Sequence, residues 1–185
     1  MKTLSSESII WGSNTALRLL LFFFWHPTKE FYEKQVSDDT KISLGAVNKY
    51  LKKLADECFL ILETKGKMKF FKLNRGNMVV KQLKIAYSLS LPIADLLADA
   101  GKKLGVKMYL YGSVARGEDT EDSDWDILVV GNVKLNDVEK EIRGFREKFN
   151  KKIKLIVFKP NEWVKMKEKD PAFYERVEKD RIELI

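Results

Sequence analysis

The sequence predicts an α+β protein of two domains, and three observations support that prediction. Charge is split along the chain: residues 1–92 hold 15 Lys and Arg against 8 Asp and Glu, a net of +7, whereas residues 93–185 hold 19 of each. The first half reads as helices followed by two strands around a short basic turn. The second half reads as strand, glycine turn, short helix, and a strand opened by two aspartates. The expected boundaries are 1–76 for the first domain, 77–92 for a helical connector and 93–185 for the second domain.

The first element is an amphipathic helix over 14–25, with Leu17, Leu20, Leu21 and Phe24 on one stripe and Pro27 ending it. A short helix over 33–40 follows. Ser43 reads as an N-cap, and Leu44, Val47, Leu51 and Leu54 then repeat at helical spacing. The opposite face carries Ala46, Asn48, Lys49, Lys52 and Lys53. Such a small and basic face suits a DNA groove, the lysines reaching phosphates and Asn48 able to read an adenine edge. Residues 59–64 and 69–73 read as strands, with Lys65-Gly66-Lys67 as a cationic hairpin tip. The order resembles the winged helix-turn-helix domains of archaeal transcription regulators. That resemblance implies double-stranded DNA as partner, contacted by Lys49 and Lys53 from the helix and by Lys65 and Lys67 from the wing; the helix face itself adds Ser43, Asn48 and Lys52 as expected contacts. It also implies a homodimer on paired half-sites. The alternative for this half is a small helical domain with an ordinary solvated lysine face, or one used only for protein contact.

Residues 77–87 continue as a helix, with Val79, Val80, Leu83 and Tyr87 on one side, as a connector or dimer seam. Pro92 interrupts it. A helix over 93–104 then turns Leu96, Leu97 and Ala100 inward.

The most specific stretch is 112–126, GSVARGEDTEDSDWD. The run 108–111 before it reads as a strand. Gly112 lets the backbone approach a phosphate, and the Ser113 hydroxyl and nearby amides can donate to phosphate oxygens. Arg116 can pair with phosphate or brace the acidic loop. Asp124 and Asp126 open the strand 127–130; two residues apart, they share a face, as divalent-metal binding at a phosphoryl-transfer site requires. The bland alternative is a glycine turn and a solvated acidic loop.

The pattern GSxARG, a spacer, then SDxDxxV resembles the nucleotidyltransferase superfamily that includes DNA polymerase β, closest to its minimal archaeal and bacterial members. Here it comprises Gly112, Ser113, Ala115, Arg116, Gly117, Ser123, Asp124, Asp126 and Val129. The resemblance implies an α/β domain with a mixed sheet. Gly112, Ser113, Arg116 and Ser123 would bind a nucleoside triphosphate; Asp124 and Asp126 would be catalytic and hold Mg2+ or Mn2+.

One part of that family pattern is missing. A third carboxylate is expected on a later strand, here 153–158, and its position aligns with Lys154. Loss of a general base typically costs ~10²–10⁴ in rate. A loop acid (Glu118, Asp119, Glu121 or Asp122) can substitute, the site can bind without turnover, or Lys154 can neutralise the pair. Three functions follow: a DNA-binding, transcription-regulatory protein that senses a magnesium-bound nucleotide; an active transferase moving a nucleotide to a hydroxyl; or an antitoxin-like partner protein, which the resemblance alone implies.

Composition narrows the rest. One cysteine, Cys58, is expected in the core, and one histidine, His26, at a helix end, so no zinc cluster or Cys-His pair is expected. The apolar run 19–25 is too short to span a bilayer, and no signal peptide is read at Met1. The expectation is a cytoplasmic protein with no membrane contact. The tail from Glu162, with Trp163, Met166, Phe173, Tyr174, Val177, Ile182 and Leu184, is expected to cover one face of the sheet.

Overall fold

The computed structural model describes residues 15–149 and 152–185, with the side chains of all but 144–149. The chain divides into two compact units, Met1–Lys81 and Gln82–Ile185.

In the first unit the order is α1 (Thr15–Trp25), β1 (Glu30–Tyr32), α2 (Glu33–Thr40), α3 (Leu44–Asp56), β2 (Leu60–Lys65) and β3 (Met68–Leu73). The expected first residue of α1, Asn14, lies outside the described residues. Helix α1 buries Leu19, Leu20, Phe23 and Phe24, so the inward stripe is rotated from the expected one and Leu17 and Leu21 are only half-buried. Phe22 and Phe23 pack edge-on to Phe31 of β1. Strand β1 gave no sequence signal, because three residues are too few for an alternating pattern. It pairs antiparallel with β3, which also pairs with β2, giving the sheet order β1-β3-β2. The β2–β3 register closes at Lys65 opposite Met68, leaving Gly66 and Lys67 as a two-residue turn. Gly66 holds φ +63°, the left-handed first position that such hairpin turns assign to glycine.

Helix α3 buries Val47, Leu51 and Leu54, while Leu44 is exposed, because it sits in the first turn beyond the packed layer. Cys58 is a correction: it is exposed. It holds a left-handed φ of 61° and ends α3, its N–H donating to Ala55 at 3.0 Å while the next N–H, of Phe59, returns to Leu54 at 2.8 Å. A residue that reverses the helix points away from the helix's apolar stripe. The side-chain amides of Asn74 and Asn77 donate to its carbonyl at 2.8 and 3.1 Å.

The division between the units falls within α4 (Met78–Leu89). Its expected inward face is wrong in part. Val79 is exposed, whereas Val80, Lys84 and Ser88, spaced at four, are buried. A lysine on a buried stripe defeats a pattern built on apolar residues.

The second unit continues with α5 (Pro92–Leu104), β4 (Lys107–Tyr111), α6 (Gly112–Ala115), β5 (Trp125–Val130), α7 (Leu135–Phe149), β6 (Ile153–Phe158), α8 (Pro160–Lys169), α9 (Pro171–Asp180) and β7 (Ile182–Glu183). Helix α5 buries Ile93, Ala94, Leu97, Ala100 and Gly101, with Leu96 only half-buried. The sheet order is β6-β5-β4-β7; only β5–β6 is parallel, so the sheet is mixed. Parallel neighbours need a long crossover, and α7 provides it. Alternation along the strands sorts two cores. Met108, Leu110, Ile127 and Val129 face Leu97 of α5 and Val138 and Ile142 of α7. Tyr109, Tyr111 and Leu128 face Trp163 of α8 and Val177 of α9. The tail therefore does not keep to one face: α8 and α9 cover the second core, while Ile182 and Leu184 pack against the first. No helix among the described residues is long and apolar enough to cross a membrane.

Candidate functional site

Three neighbouring strands align one residue each. Tyr111 of β4 stands opposite Asp126 of β5, and Asp126 opposite Lys154 of β6. Directly paired residues share a face, so these side chains form one row across the sheet. Asp124, one residue before β5, lies on the same side, and its Oδ2 accepts from the Lys154 ammonium at 2.8 Å. The lysine side chain remains 67 % exposed and that of Asp124 17 %.

Gly112 begins α6 directly beyond Tyr111 with φ +77°. The Asp126 carboxylate occupies the space above its Cα: a Cβ there would overlap Oδ2. Glycine is thus required twice, by the backbone conformation and by the carboxylate's approach. Ser113, half-buried, occupies the first turn of α6, its carbonyl accepting the Glu118 N–H at 2.8 Å.

The two aspartates are electrostatically unlike. The hydrogen bond from Lys154, and then its charge, hold the Asp124 carboxyl below the usual aspartate range against the effect of burial. Burial pushes Asp126 above that range; Asp124 adds to the shift, while Lys154, Arg116 and Arg176 oppose it. Tyr111 is pushed up to about 12, by burial first and by Asp126 second.

The acidic loop between α6 and β5 is tightly tied. Arg116 Nε donates to Glu118 at 2.9 Å and its Nη1 donates to Asp180, the last residue of α9, at 3.3 Å. Of the two roles the sequence left to Arg116, this geometry is the bracing one. The Ser123 hydroxyl accepts the Thr120 N–H at 2.8 Å, folding the loop rather than facing outward. Asp119 is gripped by Lys84 of α4. Glu118 and Asp119 are therefore engaged with Arg116 and Lys84 in this structure. Among the described residues no group of three or more His, Cys, Asp or Glu can hold a metal ion. Two carboxylates still fit one divalent ion when a ligand's phosphate oxygens complete its shell, because Mg2+ binds in that way.

In the first unit, Ser43, Asn48, Lys49, Lys52 and Lys53 are all exposed. Ser43 begins α3 without a side-chain capping bond. Lys53 lies 3.8 Å from Glu57, and Lys49 stacks over Tyr50 at 5.5 Å. Lys67 is exposed at the hairpin tip. Lys65 is ion-paired with Glu30 of β1 and lies over the Phe70 ring, so it is partly neutralised.

Sequence reasoning missed Tyr111, Lys84 and Asp180 as contributors to the site. Only Tyr111 left a signal, its place beside the glycine turn. The other two come from helices remote in sequence. Residues 93–184 match a family model described as a nucleotidyltransferase domain. No curated protein matches the chain.

Proposed function

From a chain whose residues 93–184 match the model of a nucleotidyltransferase domain, we propose a DNA-binding regulatory protein that receives a nucleoside triphosphate and turns it over slowly or not at all. The observation that carries this reading is the Lys154–Asp124 ion pair at 2.8 Å. An ammonium sits where the family pattern expects a carboxylate, and it neutralises one of the two remaining acids.

Binding is supported by the cradle. Gly112 lets the Asp126 carboxylate close against the first turn of α6, and the Ser113 hydroxyl and the amides of that turn would donate to a phosphate beside it. Asp124 and Asp126 would hold a magnesium or manganese ion arriving with the nucleotide. When bound, that ion neutralises charge on the phosphates. Ser123 and Arg116 contribute by fixing the loop that presents Asp124.

DNA binding is supported by the first unit. Its order of helix, strand, two helices and a hairpin fits a winged helix-turn-helix. Asn48, Lys49, Lys52 and Lys53 lie exposed on α3, and Lys67 tips the hairpin. In this reading the protein binds paired half-sites as a dimer.

Calorimetric titration of ATP, CTP, GTP and UTP with magnesium tests the nucleotide half; a folded protein that binds none of the four rules it out. Gel shifts across salt test the DNA half, since affinity for a polyanion must fall steeply as salt rises.

One observation favours an active transferase as second reading: the Lys154 side chain is mostly exposed, so its ammonium can leave Asp124 at small cost. Labelled nucleotide appearing on an acceptor hydroxyl, with release of pyrophosphate and loss of the signal in Asp124→Asn, would establish that reading instead.

A further inference from the structure

Lys84 is 2 % exposed, the one charged side chain buried among the described residues. Burying a lysine is costly, and it is tolerated where partners replace the lost water. Its ammonium holds Asp119 twice, by the carboxylate at 2.6 Å and by the backbone carbonyl at 2.7 Å. A grip on both backbone and side chain fixes the position of the chain at that point, beyond neutralising a charge.

Asp119 lies midway along the loop that runs from α6 to β5. On its α6 side, the Glu118 N–H donates to the Ser113 carbonyl at 2.8 Å. On its β5 side, the Thr120 N–H donates to the Ser123 hydroxyl at 2.8 Å, and the Ser123 N–H returns to the Thr120 carbonyl at 3.3 Å. Asp124 follows directly. The anchored residue thus sits between Ser113 of α6 and Asp124 at the far end of the loop. Helix α4, which supplies the anchor, precedes the matched family region, which begins at residue 93.

We propose that Lys84 is a positioning residue of the nucleotide site, and that α4 is a working part of that site rather than a connector. The inference that the anchored loop serves a nucleotide rests on the nucleotide-binding reading above. The loop tie between Ser113 and Asp124 stands or falls separately.

The test uses the full chain carrying Lys84→Met together with Asp119→Asn, which removes both charges of this pair. Amide hydrogen exchange is followed without ligand, and ATP, CTP, GTP and UTP with magnesium are then titrated. Protection is expected to fall at the amides of Glu118, Thr120 and Ser123 and to persist at Leu110 and Leu128. Nucleotide affinity should fall about tenfold, the scale of one well-placed charged hydrogen bond. Unchanged protection at the three loop amides overturns the proposal. So does a loss of equal size throughout the unit, which would make Lys84 a stability residue only. If the double variant does not fold, Asp119→Asn alone decides by the same loop amides. If the wild-type protein binds no nucleotide, the functional reading fails while the exchange result still decides this one.

Discussion

Lys154 reaches from β6 to Asp124 at 2.8 Å although its register partner is Asp126. The lysine thus spans the acidic pair, neutralising the aspartate that ionises more readily and leaving the other with burial as its main perturbation.

Lys154→Asp should convert this arrangement into a three-carboxylate site. Mn2+ binding, measured by calorimetry or by the spin-resonance signal of the free ion, should strengthen in the variant. Transfer from a labelled nucleotide should rise by ~10²–10⁴, the range a general base supplies. Lys154→Ala should leave stability close to wild type, because the lysine side chain is largely exposed. No gain in Mn2+ affinity in Lys154→Asp would show that the acids are not arranged for a cation.

Gly112→Ala should be costly out of proportion to one methyl group. The left-handed backbone alone costs about 1–2 kcal/mol for a residue with a Cβ, and that Cβ would overlap the Asp126 carboxylate. Urea denaturation should show the loss of stability, and nucleotide titration the loss of binding. Wild-type behaviour in both would contradict the close packing of these two residues.

Tyr111 should give a component of alkaline instability. Its folded-state pKa of about 12 exceeds the ordinary value of 10.0. Between those values the folded state keeps a proton that the unfolded chain loses. Its contribution to stability is therefore complete below about pH 10 and is lost as pH rises towards 12. In Tyr111→Phe the fall of stability with pH across that window should be shallower. An identical slope would mean that the hydroxyl titrates normally.

The triple change Lys49→Ala, Lys53→Ala and Lys67→Ala removes exposed cations that the fold does not require. Thermal stability should stay near wild type, as expected for surface positions. DNA affinity should fall, and its dependence on salt should become less steep by roughly one ion for each phosphate that the variant no longer neutralises. Lys65→Ala should reduce affinity less, because Glu30 already neutralises that lysine. An unchanged salt slope in the triple variant would place the DNA surface elsewhere.

Much of the fold was legible because the signals were local. The helix over 33–40 and the strand over 153–158 have the predicted ends. The glycine turn and the spacing of Asp124 and Asp126 were visible in a single window. What escaped was either too short or not apolar. Strand β1 has only three residues. Cys58 is set by a helix reversal rather than by its hydrophobicity. Lys84 is a charge on a buried stripe, and the partner that makes it tolerable lies 35 residues away.

The sequence by itself determined the two-part division of charge, the mixed strand-and-helix order of the second unit, and the two acids beside a glycine turn, because each depends on neighbours along the chain. Tertiary structure alone decided what those acids face. Strand register brings Lys154 to Asp126, the pleat places Asp124 within reach of the same ammonium, and α4 returns a buried lysine to the loop between. Side-chain charge is written in the sequence, but its energy depends on distance and solvent exposure, which exist only once the chain has folded.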